Sequence, residues 1–137
     1  MKNLYDIQLI DVPSFADKNG LLVAYNGSAD FGLDISRVFV VVGCSNSQRG
    51  KHAHMALTQI LVCVHGICRV VCDDGKEQKE FILDQPNRAL VVPCGIWAEQ
   101  FYEGKDPVVM VFSDLPYDEA DYIRNYDAYL NFRKLGD

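Results

Sequence analysis

The fold of this chain is indicated most strongly by residues 49–66, which read RGKHAHMALTQILVCVHG. His52 and His54 lie two residues apart, and such residues in an extended strand point to the same face, about 7 Å from each other. They are two of the three histidines in the chain. By themselves they fit either a solvated strand start or a pair of imidazoles presented together.

Short segments rich in Val, Ile, Leu, Cys and Phe surround this stretch and are separated by Gly, Pro, Asn or Asp. Two turns are well marked, because His65-Gly66 and Asp73-Asp74-Gly75 both predict tight hairpins. Such regular spacing is typical of an all-β sandwich or barrel. We predict strands near residues 6–12, 21–25, 35–43, 57–65, 67–73, 78–83, 89–93 and 107–113.

The sequence changes character after Ser113. Pro116 begins a polar stretch, Asp118 or Glu119 can cap a helix, and apolar or aromatic residues then recur at spacings of three and four. We predict a C-terminal α-helix over residues 120–133 that closes over the sheet, as a solvated lid, a dimer contact or a substrate contact. Its apolar face would comprise Tyr122, Ile123, Tyr126, Tyr129 and Leu130.

Length and composition limit the function classes. A chain of 137 residues predicts one domain over residues 1–137. Its net charge of −6 argues against polynucleotide binding, which needs a basic surface. With no apolar run near the roughly 18–20 residues that span a bilayer and a polar N-terminus, we expect a soluble, cytoplasmic protein without membrane association. The five cysteines form no Cys-x-x-Cys pair and predict reduced, packed thiols.

The spacing around the histidine pair resembles that of cupins. Four residues separate His54 from Gln59, six separate Gln59 from Gly66, and residues 93–95 approximate the second cupin motif. In metal-binding cupins the two histidines, a glutamate and a final histidine hold the ion. Gln59 and Ala98 stand at the last two positions here, and two imidazoles with an amide bring no negative charge. The resemblance therefore implies an all-β cupin jelly roll (double-stranded β-helix) without a metal.

A histidine pair without a metal suits general acid–base catalysis, because imidazole titrates near neutral pH and both takes and gives a proton. Two such groups on one face suit the movement of a proton between adjacent carbons. That reaction is the isomerisation or epimerisation of a ketone.

Residues 49–54, 57–66, 69–75, 96–99 and 113–127 closely resemble the nucleotide-linked 4-keto-6-deoxyglucose 3,4-ketoisomerases of the WxcM-like cupin family. The resemblance implies a homodimer without cofactors that acts on a dTDP-linked keto-deoxy sugar. It further implies that the carbonyl moves from carbon 4 to carbon 3 through an enediol. The product would supply an aminotransferase in deoxyamino-sugar biosynthesis, as for a lipopolysaccharide O-antigen.

The family's proton carriers correspond to His52 and His54. We expect His54 to remove the proton from carbon 3, because it lies further into the strand, where drier surroundings favour the neutral form. His52 would then donate or orient. We expect Arg37 to bind the pyrophosphate, since guanidinium binds phosphate oxygens as a fork. Arg49 would either do the same or fix the loop before His52.

Arg37 taken alone fits a strand-edge charge in water equally well. Gln59 and Trp97 complete the expected substrate-binding set. For Gln59, an amide satisfied by the backbone is an equal alternative to a contact with a histidine or the sugar. For Trp97, a place in the core is an equal alternative to a base-stacking platform.

The chain departs from the family pattern at three places. Asn19 replaces an arginine, Phe39-Val40 replaces two tyrosines, and Ala98 stands where histidine is common. The tyrosines matter most, because a phenolic hydroxyl near the histidines is a natural donor to the sugar. The alternative function is a catalytically silent nucleotide-sugar-binding cupin, and the third is a metal-dependent cupin enzyme.

The first predicted strand also suggests self-association. Ile7, Leu9 and Ile10 leave its edge with little charge to protect it. Pairing across a two-fold axis would cover such an edge, so we expect a homodimer.

Overall fold

The computed structural model describes residues 1–136 and consists mainly of antiparallel β-strands, as predicted. Two short 3-10 turns lie at Leu4–Asp6 and Glu119–Asp121, and two helices are present, α1 (Ser28–Phe31) and α2 (Tyr126–Gly136). The strands are β1 (Gln8–Asp11), β2 (Ser14–Asp17), β3 (Gly20–Val23), β4 (Arg37–Val42), β5 (Ser47–His54), β6 (Gln59–Asp73), β7 (Gln78–Leu83), β8 (Arg88–Val92), β9 (Trp97–Ser113) and β10 (Tyr122–Ile123).

Two long strands organise the fold. β6 and β9 pair with each other from Gln59↔Ser113 to Asp73↔Trp97. The first half of β6 also pairs with β8 and its second half with β7, while β9 pairs first with β5 and then with β4. Because both long strands change partner midway, the strands wrap round a common interior in the predicted jelly-roll arrangement.

Alternation along β6 divides the apolar residues between two faces. Leu61 and Cys63 belong to the interior cluster, while Ile60 and Val62 pack on the other face against residues of the N-terminal segment such as Phe31. Burying one such aliphatic side chain stabilises the fold by about 1.5–3 kcal/mol. The predicted thiol state is confirmed, since all five cysteines are free and Cys63, Cys68 and Cys72 are buried.

Helix α2 docks through a smaller cluster. Tyr129 is fully buried beside Ala53 and Trp97. Its hydroxyl lies 2.8 Å from the carbonyl oxygens of both Asp73 and Gly95, one of which accepts its hydrogen. These contacts anchor α2 to the end of β6 and to the loop before β9.

The predicted hairpin at His65-Gly66 is wrong, because β6 runs through it without reversing. The register with β9 shifts on both sides of His65, and Gly66 adopts a φ of +74°. A Cβ there would lie 2.8 Å from the Cα of Pro107. The glycine marks a bulge and a close backbone approach rather than a turn. The hairpin at Asp73-Asp74-Gly75 is confirmed by the pairing of β6 with β7.

The predicted start of the C-terminal helix is also wrong. Asp118 caps the 3-10 turn through the amide of Ala120, and Tyr122 and Ile123 are extended and pair with His54 and Ala53. The helix begins at Tyr126. The spacing of three and four continued across this boundary, so periodicity alone placed strand residues on the helix.

Other strand boundaries also differ from those predicted. β5 runs from Ser47 to His54, a range for which no strand was predicted. β9 begins at Trp97, well before the predicted residue 107. β2 and α1 were missed. None of the helices within residues 1–136 is long and apolar enough to cross a membrane.

Candidate active site

A cavity of about 350 Å³ opens at one end of the strands beside the histidine pair. It is formed by β4, β5, β6 and β9 together with the segment that follows residue 121. The lining side chains and glycine are Arg37, Phe39, Val41, Arg49, Gly50, His52, Gln59, Gln100, Tyr102, Tyr122 and Arg124.

A bulge in β5 precedes the histidine pair. Gly50 has a φ of +87°, and the register with β9 shifts between Gly50 and His52. A Cβ at Gly50 would lie 2.9 Å from the carbonyl oxygen of Ala98. The glycine of the Arg-Gly-x-His run is therefore required by its conformation and by the close approach of β9.

His52 lines the cavity. Its Nδ1 is buried and has no hydrogen-bond partner within the part of the chain that the structure describes. Burial and the neighbouring His54 lower the pKa of His52 to about 4. The ring is therefore neutral at neutral pH, which is the form that accepts a proton.

His54 lies behind His52 and is only 5% exposed. Its Nδ1 is 3.0 Å from Oδ2 of Asp121, and its Nε2 is 3.1 Å from Nε2 of Gln59. Because a carboxylate can only accept, Nδ1 carries the proton and donates it. Nε2 then accepts from the Gln59 amide. Burial lowers the pKa of His54 and Asp121 opposes that effect, so the ring is neutral with both nitrogens occupied.

Tyr122 packs against both imidazoles. Its ring centroid lies 5.0 Å from that of His52 and 4.3 Å from that of His54, and the two imidazole centroids are 5.0 Å apart in an edge-to-face arrangement. The pairing of β10 with β5 sets Tyr122 opposite His54. We missed this residue by assigning it to a helix, although it lies within the C-terminal run of acidic and tyrosine residues.

Three arginines give the cavity positive charge. The guanidinium of Arg37 lies 4.6 Å from the ring centroid of Phe39 and 5.2 Å from that of Tyr117. Arg124, another residue missed from the sequence, donates to both carboxylate oxygens of Glu119 at 2.7 and 3.0 Å. This pairing and the hydroxyl of Tyr117 lower the pKa of Glu119 to about 2. Together with Arg49 these groups suit an anionic ligand.

Of the two other expected site residues, Gln59 lies at the cavity and Trp97 does not. Gln59 lies in the cavity wall and contacts His54. Trp97 is not brought to the cavity: it is 4% exposed and packs against Tyr126 and Tyr129, at 5.3 and 5.6 Å between ring centroids. Of the two alternatives for Trp97, the structure has the core position. Tyr102 lines the cavity, where its hydroxyl donates to Oε1 of Gln100.

The departures from the family pattern lie at different depths. Phe39 lines the cavity and leaves it without a hydroxyl at that place, whereas Val40 is exposed on the opposite face of β4. Ala98 is buried opposite His52. Asn19 lies in the exposed turn between β2 and β3. Among residues 1–136 no group of three or more His, Cys, Asp or Glu side chains is placed to hold a metal ion.

Comparisons with known proteins extend over nearly the whole chain. The family model described as "FdtA: WxcM-like, C-terminal" matches residues 5–134. The TDP-4-oxo-6-deoxy-alpha-D-glucose-3,4-oxoisomerase of Aneurinibacillus thermoaerophilus is 39% identical over 128 residues, which is 93% of this chain and 90% of that protein.

Solved structures agree with this. QdtA, a sugar 3,4-ketoisomerase from Thermoanaerobacterium thermosaccharolyticum solved in complex with TDP, superposes with a TM-score of 0.92 at 34% identity, covering 98% of each chain. A 3,4-ketoisomerase from Helicobacter canadensis superposes with a TM-score of 0.89 at 28% identity, covering 94% of this chain and 98% of the other.

Proposed function

The chain belongs to the WxcM-like family, and on that premise we propose that it is a 3,4-ketoisomerase of a dTDP-linked 4-keto-6-deoxyhexose. The observation that carries the proposal is the cavity in which a neutral, unpaired histidine lies beside three arginines. A nucleotide sugar needs both features, since it brings a diphosphate to bind and a carbon acid to ionise.

The reaction moves two protons and no other atoms. Removal of the hydrogen on carbon 3 as a proton gives an enediol shared between carbons 3 and 4. A proton then returns to carbon 4, the hydroxyl proton passes from the oxygen on carbon 3 to that on carbon 4, and the carbonyl is left at carbon 3. A positioned base and acid of this kind accelerate such a step by about 10²–10⁴-fold.

We assign the proton transfer at carbon 3 to His52, which reverses the assignment made from the sequence. His52 lines the cavity and its buried Nδ1 has no hydrogen-bond partner within residues 1–136, whereas both nitrogens of His54 are engaged by Asp121 and Gln59. His54 then supports His52 through ring contact. In the same proposal Arg37 and Arg49 bind the diphosphate, and Gln59 contacts the sugar while it orients His54.

One observation favours the silent nucleotide-sugar-binding module as the second candidate. Phe39 stands in the cavity wall where a tyrosine hydroxyl would donate to the sugar. Incubation with dTDP-4-keto-6-deoxyglucose in deuterated water, followed by NMR of the sugar, separates the two. We expect deuterium at the exchanging carbon and a 3-keto product, whereas binding without any exchange or product would establish the silent module.

The proposal includes a homodimer. Within residues 1–136, strands β2 and β3 pair only with each other, and this hairpin exposes Phe15, Leu21 and Leu22 by 53–65%. Exposed apolar groups of this kind mark interaction surfaces. We expect a dimer by sedimentation at micromolar concentration and a monomer for Leu22→Asp. The control is Leu135→Asp, since Leu135 is 90% exposed on α2. A wild-type monomer would overturn this part.

The pathway and the compartment are also part of the proposal. The 3-keto product is the substrate that an aminotransferase needs to make a deoxyamino sugar, for instance one of a lipopolysaccharide O-antigen. Five free cysteines are typical of proteins in a reducing compartment, which supports the cytoplasm.

A further inference from the structure

We propose that Asp121 is a positioning residue that fixes the tautomer and the orientation of His54, and that sets His52 and Tyr122 against the substrate. This inference rests on the proposed function for its kinetic consequence. Its structural consequence, the position of one proton on His54, is measurable without any substrate.

Asp121 is placed both by a local turn and by hydrogen bonds to β5 and the loop that follows it. It ends the 3-10 turn Glu119–Asp121, and its side chain is 12% exposed. Its oxygens accept three hydrogen bonds from elsewhere in the chain, from Nδ1 of His54 and from the amides of Ala56 (2.7 Å) and Leu57 (3.2 Å). A carboxylate with three donors around it has little freedom to turn.

The consequence for His54 follows from the donor rules. With Asp121 accepting at Nδ1, the single proton of the neutral ring lies on Nδ1 and not on Nε2. Nε2 is therefore an acceptor, and the amide nitrogen of Gln59 must face it at 3.1 Å. The direction of the Gln59 amide, which lines the cavity, is in this way set by Asp121 two bonds away in the hydrogen-bond chain.

Ring contacts connect His54 to two residues that line the cavity, His52 and Tyr122. The His52 and His54 rings meet edge to face at an interplanar angle of 86°. Tyr122, the next residue after Asp121, packs on both. Rotation of His54 would displace both rings that line the cavity. A carboxylate that orients a metal-binding histidine typically changes activity by about 10- to 100-fold when it is lost, and we expect an effect of that size here.

A merely structural role is the competing explanation, because Asp121 also anchors the loop 55–58. The chain offers a matched control in Asp114, whose Oδ1 accepts from the amide of Thr58 at 2.8 Å in the same loop. Neither oxygen of Asp114 is placed on a histidine by the hydrogen bonds that the structure gives it. Asp114→Asn thus makes the same change of charge at an anchor of the same loop and leaves the His54 tautomer alone.

The decisive measurement is the ¹⁵N NMR spectrum of the imidazoles near pH 7, with His65→Asn and His52→Asn used to assign the three rings. In the wild type we expect the proton of His54 on Nδ1. In Asp121→Asn we expect that ring to lose its fixed tautomer, kcat to fall about 10- to 100-fold and KM to change little. Asp114→Asn should keep both the wild-type spectrum and the wild-type kcat.

Three results would overturn the inference. The first is a wild-type spectrum with the proton on Nε2, which needs no variant to fold. The second is Asp121→Asn with unchanged tautomer and kcat, and the third is an equal loss of kcat in Asp114→Asn. A wild-type enzyme without isomerase activity would instead refute the proposed function, and the tautomer measurement would still decide the role of Asp121.

Discussion

Replacing His52 by Asn should impair proton transfer without lowering the stability of the fold or the affinity for the nucleotide. Nδ1 of His52 has no hydrogen-bond partner among residues 1–136, so its loss leaves no partner of that atom unpaired. The arginines of the cavity are untouched. We expect kcat to fall by about 10²–10⁴-fold, equivalent to about 3–5 kcal/mol of transition-state stabilisation at 1.36 kcal/mol for each factor of ten, with KM nearly unchanged.

His54→Asn should give the opposite balance. It breaks the contacts to Asp121 and Gln59 in a buried place, and each orphaned polar group costs about 1–3 kcal/mol. We therefore expect a lower melting temperature and a smaller loss of kcat than for His52→Asn.

The assay for both variants is the exchange of the carbon 3 hydrogen in deuterated water, followed by NMR alongside thermal melting. Wild-type exchange in His52→Asn combined with its loss in a stably folded His54→Asn would refute the assignment and restore His54 as the base.

Three further predictions follow from the site and the core. Burial and His54 lower the pKa of His52 to about 4. We therefore expect kcat/KM to stay constant from about pH 6 to 8 and to fall to half near pH 4, as the ring takes up a proton. A midpoint near pH 6.5 would contradict this prediction. Dialysis against EDTA should leave turnover unchanged, since Gln59 and Ala98 replace the acidic and imidazole ligands of metal cupins; activity that is lost and restored by a divalent ion would count against the prediction. Tyr129→Phe should lower the free energy of unfolding by about 1–3 kcal/mol, because the buried hydroxyl of Tyr129 contacts two carbonyls. Tyr126→Phe is the control, since Tyr126 is more exposed. An equal loss of stability in Tyr126→Phe would contradict the prediction.

The sequence was most informative where local chemistry has one solution. Asp73-Asp74-Gly75 formed the predicted hairpin because the side chains of Asp73 and Asp74 accept from the backbone amides of Gly75, Lys76 and Glu77. The side-by-side placement of His52 and His54 followed from the period of two along a strand. Both results depend on residues that are close in sequence.

The predictions that failed concern residues whose conformation depends on partners far away in the sequence. Gly66 signalled a turn, but its conformation serves the approach of Pro107, some forty residues later in the chain. Tyr122 fitted a helical period, but pairing with His54 draws it into a strand. The engagement of both His54 nitrogens depends on Asp121 and could not be read from spacing, so the sequence alone favoured His54 as the base, where we now propose His52.

Some residues of the site lie in residues 114–136, after the last long strand, and this has a consequence for how the activity can evolve. Strands β1 to β9 end at Ser113, whereas Asp121, Tyr122 and Arg124 come afterwards and are attached to the barrel through β10 and the docked helix α2. A chimaera that exchanges only residues 114–136 between relatives would keep the scaffold and swap the groups that hold the histidines. Turnover and sugar preference can then diversify through a stretch whose alteration leaves the interior packing of the long strands intact.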